Sequence, residues 1–248
     1  RALAVTAPRW ALWGSELSPF ALKLRACCDW AGLPYAWLPA EGGRLPNYRA
    51  LCLIARAKRT RTVERYPRLD DLDEYPLVPL LIEDDRRVLY DSSALAHWID
   101  DCHPSPHGRL IPEDAALAFV ARLIDEAFDE FGLYMVHHNR WVMSATTNDA
   151  GRRLAREMAR VLPPGTGWIL ARRFAERQVR RLPYLFSVAP PGFSVGLRAA
   201  LTPPSLAGFS ATHGILQEAW DAYLASVEAI LTRRPFLLGE RFTIADAG

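Results

Sequence analysis

A serine near the start of the chain is placed where it can do chemistry. Ser18 follows a short apolar run at residues 9–13 and a turn, and Pro19 comes directly after it. Proline suits the first position of a helix, because its ring fixes φ and its missing N–H has no partner to lose there. The unpaired N–H groups at a helix start favour negative charge. Ser18 is therefore a candidate to hold an anion such as a thiolate, with Ser15 a lesser candidate, although the same pattern also fits a simple helix N-cap.

The residues around Ser18 predict a β-α-β unit. Residues 9–13 are apolar and aromatic, which favours a buried strand. In residues 19–31, apolar side chains recur at helical spacing and predict one buried face, and Lys23 is expected to lie largely away from that face. A glycine then ends the helix, and residues 35–38 predict a second strand that pairs in parallel with the first.

The next stretch predicts two more strands and a helix. Pro79 stands inside an apolar run, and it must lie at a strand start or edge because it cannot donate a ladder hydrogen bond. Residues 80–90 predict an antiparallel hairpin around a polar turn. Asp91 and Ser92 then cap a helix that we expect to run through Asp101.

The character of the chain changes near residue 111, where a helical pattern begins. The predicted helices open at Pro112, Asn148, Thr166 and Ala211, and Thr243 and Asp246 form a capping-box-like start for a last one. We therefore predict an α/β domain at residues 1–104 and an all-α domain at residues 111–248. The first domain holds a variable segment at residues 40–76, with a short basic helix at residues 49–61. We expect the second domain to be truncated at its end.

The net charge of +2 hides two segments of opposite charge. Residues 152–181 hold nine arginines and two glutamates, whereas residues 113–131 hold six acids and one arginine. A basic segment can bind nucleic acid or another anionic partner. Because the two segments nearly cancel, acidic and basic helices packed side by side explain them better, and we do not expect a nucleic-acid partner.

The cysteines and histidines indicate neither a zinc site nor a disulfide framework. The four cysteines are Cys27, Cys28, Cys52 and Cys102. They lack zinc-ribbon and CxxC spacing, so reduced thiols in a cytoplasmic protein explain them, and we expect no metal. Cys27 and Cys28 lie well inside the first predicted helix, which argues against a catalytic thiol. No apolar run reaches the roughly 18 residues of a membrane-spanning helix, so we expect no membrane partner.

Four short motifs, in the same order and across nearly the whole chain, resemble the cytosolic glutathione transferases. They are Ser18-Pro19-Phe20 after the first strand, Val78-Pro79 before the third, Asp91-Ser92 at a helix start, and residues 237–246 before the last helix. The resemblance implies a thioredoxin-like N-terminal domain, in the order βαβ–ββα, and an all-α helical bundle as C-terminal domain. The long segment at residues 40–76 departs from the family pattern and suggests a divergent, serine-type, bacterial-like member.

The resemblance implies a role for each motif residue in binding glutathione. Ser18 donates a hydrogen bond to the sulfur of glutathione and so stabilises its thiolate. Pro79 is cis and turns the backbone of Val78 toward the cysteinyl part of glutathione, the alternative being a trans proline at a strand edge. Asp91 and Ser92 bind the γ-glutamyl end, and ordinary helix capping is the alternative explanation for both.

The resemblance also implies an activity, an assembly and a second substrate. Glutathione is the expected co-substrate, a small hydrophobic molecule is the expected electrophile, and a homodimer is the expected assembly. Phe20, Tyr134 and His138 are candidates for the electrophile pocket, because the long helix of the second domain is expected to border the cleft between domains. For Trp141, core packing is at least as good an explanation. The leading hypothesis is a glutathione transferase, and the alternative is a non-catalytic relative that uses the fold to bind proteins.

Overall fold

The fold is seen in a computed structural model that describes residues 9–65, 78–144, 147–181 and 213–248. The sequence predicts irregular chain at residues 67–76 and a loop at residues 187–210, and both lie outside these ranges. Within the described ranges, no helix is long and apolar enough to cross a membrane.

The N-terminal part is a five-stranded mixed sheet with three helices. In chain order its elements are β1 (Trp10–Trp13), α1 (Pro19–Ala31), β2 (Tyr35–Leu38), α2 (Arg44–Thr60), β3 (Glu64–Arg65), β4 (Leu80–Glu83), β5 (Arg87–Tyr90) and α3 (Ser92–Cys102). The strand order is β2-β1-β4-β5-β3, with β1 parallel to β2 and antiparallel to β4. The predicted β-α-β unit and the β4–β5 hairpin are confirmed. The two-residue β3 was not predicted, because so short a strand shows no alternation.

The second part of the chain is helical, as predicted. Its helices are α4 (Ala115–Ala127), α5 (Leu133–His138), α6 (Ala150–Glu157), α7 (Gly167–Arg181), α8 (His213–Leu231) and α9 (Ile244–Ala247). Two π-helical turns, Phe128–Gly132 and Asn139–Met143, join α4 to α5 and extend α5. The boundaries predicted for the two domains stay predictions.

The alternation of side chains along the strands divides the core into two layers. Trp10 and Leu12 point to the face covered by α1 and α3, whereas Trp13 points to the face covered by α2. The first layer continues into the helical part through Leu110 and Ile244. One face of the sheet is thus the surface on which the two parts of the chain pack together.

The last helix begins with the capping box that the sequence predicts. The backbone N–H and the hydroxyl of Thr243 donate to Asp246 Oδ2 at 2.8 and 3.0 Å. The other carboxylate oxygen of Asp246 accepts from the backbone N–H of Leu237 at 2.7 Å. These residues therefore fix the fold, as expected.

The prediction that Lys23 lies away from the buried face is wrong. Its side chain is 1% exposed, and its Nζ lies 2.6 Å from a carboxylate oxygen of both Asp125 and Asp129. It also donates to the hydroxyl of Ser93 at 2.8 Å. A helical repeat treats lysine as solvent-facing, but here two acids from the helical part supply the opposite charge that a buried lysine needs.

One lysine in this cluster faces two carboxylates. Burial raises the pKa of Asp125 to about 6, and Lys23 offsets only part of that effect. Burial by itself lowers the pKa of Lys23, but Asp125 and Asp129 outweigh it, so the pKa of the lysine is raised. Lys23 therefore stays charged. Asp125 is the more buried of the two acids, and its carboxyl, with a pKa of about 6, is the one that titrates in this cluster.

Replacing Lys23 by methionine leaves Asp125 and Asp129 buried without a cation. We expect the free energy of unfolding, measured by urea denaturation at neutral pH, to fall by about 3–5 kcal/mol. Arg25→Met on the same helix is the matched control. Its exposed guanidinium lies 3.9 Å from Glu16 and stacks over an indole ring, so its loss should cost about 1 kcal/mol or less. If the unfolding free energy falls equally in the two variants, Lys23 does not neutralise the buried carboxylates as proposed.

A pH series tests the proton held by Asp125. Its pKa in the folded protein, about 6, lies above the ordinary value of 3.8, so folding favours the protonated carboxyl. That stabilisation is complete below pH 3.8 and is lost as pH rises through about 6. Across this window, the unfolding free energy of the wild type should fall by about 2–3 kcal/mol relative to Asp125→Asn. Parallel pH curves for the two proteins would rule out this titration.

Candidate active site

The strand register gathers three separate pieces of sequence at one edge of the sheet. Trp13 at the end of β1 pairs with Leu80 at the start of β4, and Leu80 pairs in turn with Tyr90 at the end of β5. The turn after β1, the residues before β4 and the residues after β5 therefore leave the sheet side by side. These three pieces hold the residues to which the sequence assigns glutathione contacts.

The turn after β1 is tightly packed against α1. A Cβ on Gly14 would lie 2.7 Å from Cβ of Ala21, so only glycine lets the turn pass this close to the helix. The buried hydroxyl of Ser15 accepts from the backbone N–H of Leu17 at 3.1 Å. The backbone N–H of Ser18 donates to the carbonyl of Ser15 at 2.9 Å. The turn thus holds Ser18 in a fixed position at the start of α1.

Ser18 is the N-cap of α1, and its side chain is half-buried. Its Oγ accepts a hydrogen bond from the backbone N–H of Ala21 at 3.3 Å. Because a hydroxyl has one O–H donor and two acceptor lone pairs, capping uses only a lone pair and leaves the O–H for another acceptor. The two readings of Ser18, helix cap and donor to an anion, are therefore compatible.

The second piece is the peptide bond between Val78 and Pro79, which is cis. The trans alternative considered for Pro79 is therefore not what the structure has. Pro79 is buried beside the first residue of β4, whereas Val78 remains 37% exposed. The arrangement leaves Val78 at the open edge of the sheet, next to the turn that carries Ser18.

The third piece is the start of α3. Asp91 is the N-cap, and its Oδ1 accepts from the backbone N–H of Ala94 at 3.0 Å. Its φ of 78° is uncommon for a residue other than glycine, and such strained positions cluster at active sites. Ser92 follows as the first helical residue and is buried. Capping of α3 thus uses Oδ1 of Asp91.

Two adjoining cavities of about 360 and 430 Å³ lie between this turn and the helical part of the chain. Glu16, Asp149 and Arg153 line both of them. The first cavity is also lined by Leu17, Val136, Asn139, Arg140, Ser144, Asn148, Ala150 and Trp220. A small molecule in the first cavity would lie against the two residues that directly precede Ser18.

Arg140 is a cleft residue that sequence analysis missed. It lies on the π-helical turn Asn139–Met143, and its guanidinium donates to the backbone carbonyl of Leu17. The neighbouring Trp141 is buried and packs with Leu17, which agrees with the core role considered for it. No local pattern marks Arg140, because its position depends on a contact 123 residues away along the chain. The π-helical turn that carries Arg140 is a feature often found at functional sites, but it is seen in the structure and not in the sequence.

The described part of the structure does not place the three residues predicted for the electrophile pocket in either cavity. Phe20 lies half-buried in the first turn of α1 and is not among the described residues that line the two cavities. Tyr134 and His138 lie on α5, but their side chains fall outside what the structure describes. Val136, between them in sequence, does line the first cavity. Their role in an electrophile pocket stays a prediction.

The cysteines of α1 are not placed for catalysis. Cys27 and Cys28 are fully buried, and burial raises the pKa of the Cys27 thiol to about 12 and raises that of Cys28 as well. Thiols so strongly protonated are poor nucleophiles. Among the residues that the structure describes, no group of histidine, cysteine and acidic side chains is arranged to hold a metal ion.

Residues 17–102 match the family model described as "Glutathione S-transferase, N-terminal domain". This range includes Ser18 and both of the other pieces at the sheet edge. No curated protein sequence gives a significant match to the chain.

Two solved structures are similar to this chain over 96% of its length. The beta-etherase LigF from Sphingobium sp. strain SYK-6 is 14% identical, with a TM-score of 0.50 over 96% of this chain and 80% of that chain. A glutathione S-transferase from Rhodospirillum rubrum F11 is 18% identical, with a TM-score of 0.46 over 96% of this chain and 73% of that chain. At these identities the beta-etherase likeness speaks for the fold alone, and that fold extends through the helical part.

Proposed function

We propose that the protein is a cytoplasmic glutathione transferase of the serine type, because residues 17–102 match the family model of the glutathione S-transferase N-terminal domain. It transfers glutathione to a small hydrophobic electrophile or catalyses a related glutathione-dependent reaction. The observation that carries the proposal is the convergence of Ser18, cis-Pro79 and Asp91 at one sheet edge. The four free cysteines support the cytoplasmic location, because reducing compartments keep thiols unpaired.

Ser18 is proposed to activate the thiol of glutathione. A free thiol has a pKa of about 8.5 and is mostly protonated at neutral pH. The O–H that Ser18 keeps while capping α1 donates to the sulfur, and the N-terminus of α1 adds a favourable potential for negative charge. The thiol proton leaves to solvent. The thiolate then forms a C–S bond with the electrophile, and the leaving group departs with its electron pair.

The other two pieces are proposed to hold the tripeptide. Val78 is 37% exposed, and its backbone pairs with the cysteinyl unit as an added strand would. The buried N-terminus of α3 at Ser92 receives the γ-glutamyl carboxylate. The carboxylate of Asp91, which caps α3, faces the γ-glutamyl ammonium. Together these contacts place the sulfur next to Ser18.

Ser18→Ala should lower kcat/KM with 1-chloro-2,4-dinitrobenzene about 100-fold, because it removes one preorganised donor to a developing charge. Ser15→Ala is the matched control and should retain most activity, since the buried Ser15 hydroxyl accepts from the backbone N–H of Leu17 and hydrogen-bonds to the carboxyl of Glu157. Both variants are to be checked by urea denaturation, because loss of the Ser18 cap costs about 1 kcal/mol. Unchanged turnover by Ser18→Ala would exclude Ser18 as the thiolate donor.

Retention on glutathione resin separates binding from catalysis in the same experiment. Ser18→Ala should still be retained, whereas Asp91→Asn should elute early. Asparagine keeps the oxygen that caps α3 but lacks the charge for the ammonium group. A wild-type protein that ignores glutathione would overturn the transferase proposal and leave the protein-binding module as the better account.

We also propose a homodimer, on the basis of α4. This helix exposes Phe119, Val120 and Leu123 on one face, and Phe119 is the most exposed of them at 66%. Large apolar side chains grouped on one helix are typical of a surface that a partner covers. A second copy of the chain is the proposed partner, because two copies of one apolar face complement each other across a two-fold axis.

Phe119→Asp should convert the dimer into a monomer, because it places a charge in the apolar face of α4. Sedimentation equilibrium at micromolar concentration measures the mass directly. Leu45→Asp on α2 is the matched control, since Leu45 is 61% exposed but lies on the other part of the chain. A wild-type protein that sediments as a monomer would refute the dimer.

A further inference from the structure

Arg140 is a partly buried cation that lines the first cavity. Its guanidinium donates to the backbone carbonyl of Leu17, and in the part of the chain that the structure describes it forms no ion pair. Burial, together with the positive charge of Arg153, lowers the pKa of Arg140. Arginine nevertheless stays protonated in proteins, so the cavity keeps this positive charge.

The other charges of the two cavities are largely occupied with each other. Arg153 lies 3.7 Å from Glu16, and Arg156 lies 2.9 Å from Asp149. Glu157 lines the second cavity only, and burial raises the pKa of its carboxyl. Arg140 is therefore the cation of this cleft that lacks a counter-charge among the described side chains.

The backbone around Arg140 is fixed before any ligand arrives. Asn148 donates to the carbonyl of Arg140 at 2.6 Å and to the carbonyl of Ser144 at 2.8 Å. Its side-chain oxygen accepts from the backbone N–H of Ala150 at 2.9 Å. A cation held in place by such contacts loses little freedom on binding, which favours recognition of a charged group.

We propose that Arg140 binds the carboxylate of an anionic electrophile, so that the second substrate is an apolar or aromatic molecule with an acidic group. Leu17, Val136 and Trp220 supply the apolar wall of the cavity for the rest of that molecule. A planar guanidinium suits a carboxylate because it can donate two parallel hydrogen bonds. This inference rests on the proposed transferase function and narrows its substrate class.

The test uses an anionic electrophile and its neutral counterpart, 4-chloro-3,5-dinitrobenzoate and its methyl ester. In both, the thiolate displaces chloride at the same carbon, forming the C–S bond as the C–Cl bond breaks. The wild type should favour the carboxylate over the ester in kcat/KM. Arg140→Gln should reduce that ratio about tenfold, because it removes the charge but keeps hydrogen-bond donors. Arg152→Gln, on the exposed side of α6, is the matched control and should leave the ratio unchanged.

The outcomes show whether Arg140 binds the carboxylate of the electrophile or a carboxylate of glutathione. Arg140→Gln could raise KM for glutathione and leave the ratio of kcat/KM for acid and ester unchanged. In that case Arg140 binds a carboxylate of glutathione, and the inference is overturned. If Arg140→Gln lowers kcat/KM equally for the acid and the ester, Arg140 acts by holding the turn through the carbonyl of Leu17. That result would also overturn the inference.

A binding measurement separates this inference from the proposed function. Calorimetric titration with 3,5-dinitrobenzoate, which lacks a leaving group, needs neither glutathione nor turnover. Binding that weakens about tenfold in Arg140→Gln but not in Arg152→Gln supports the anion site even if the protein proves inactive with glutathione. No binding of 3,5-dinitrobenzoate, or binding that Arg140→Gln leaves unchanged, would contradict the site.

Discussion

The pairing of β1 with the parallel strand β2 on one side and the antiparallel strand β4 on the other constrains everything at the candidate site. Because β1 ends where β4 begins and β5 ends, the register Trp13–Leu80–Tyr90 brings three distant pieces of chain to one edge. A slip of one residue would turn these side chains to the opposite face of the sheet and would exchange the side chains that fill the two core layers. The core packing that fixes the strand register therefore also fixes the positions of the site residues.

A buried ion cluster connects this edge to the helical part of the chain. Lys23 lies on α1, which starts at Ser18, and it contacts Ser93 on α3 as well as Asp125 and Asp129. The starts of the two helices that frame the site are thus tied to the helix that leads, through two π-helical turns, to Arg140. Breaking one partner of such a cluster is costly, whereas the intact cluster adds little net stability and mainly fixes geometry.

Local patterns were enough to predict much of this fold. The strand and helix boundaries around Ser18, the hairpin after Pro79 and the cap at Asp91 all follow from alternation, turn residues and capping chemistry. Lys23 and Arg140 could not be predicted in the same way. The burial of Lys23 depends on acids about a hundred residues away, and the position of Arg140 depends on an irregular helical turn and one backbone carbonyl. Charge and periodicity in a sequence carry no record of such long-range partners.

The central claim is that the sheet edge holds glutathione with its sulfur ionised beside Ser18. The ultraviolet absorbance of the thiolate, recorded as a difference spectrum of the glutathione complex over a pH series, measures this directly. We predict that the thiol of bound glutathione titrates at least one pH unit below the roughly 8.5 of a free thiol, because a hydroxyl donor and a helix N-terminus both favour the anion. A bound thiol that titrates at its free value, or a protein that gives no difference spectrum with glutathione, would contradict the account.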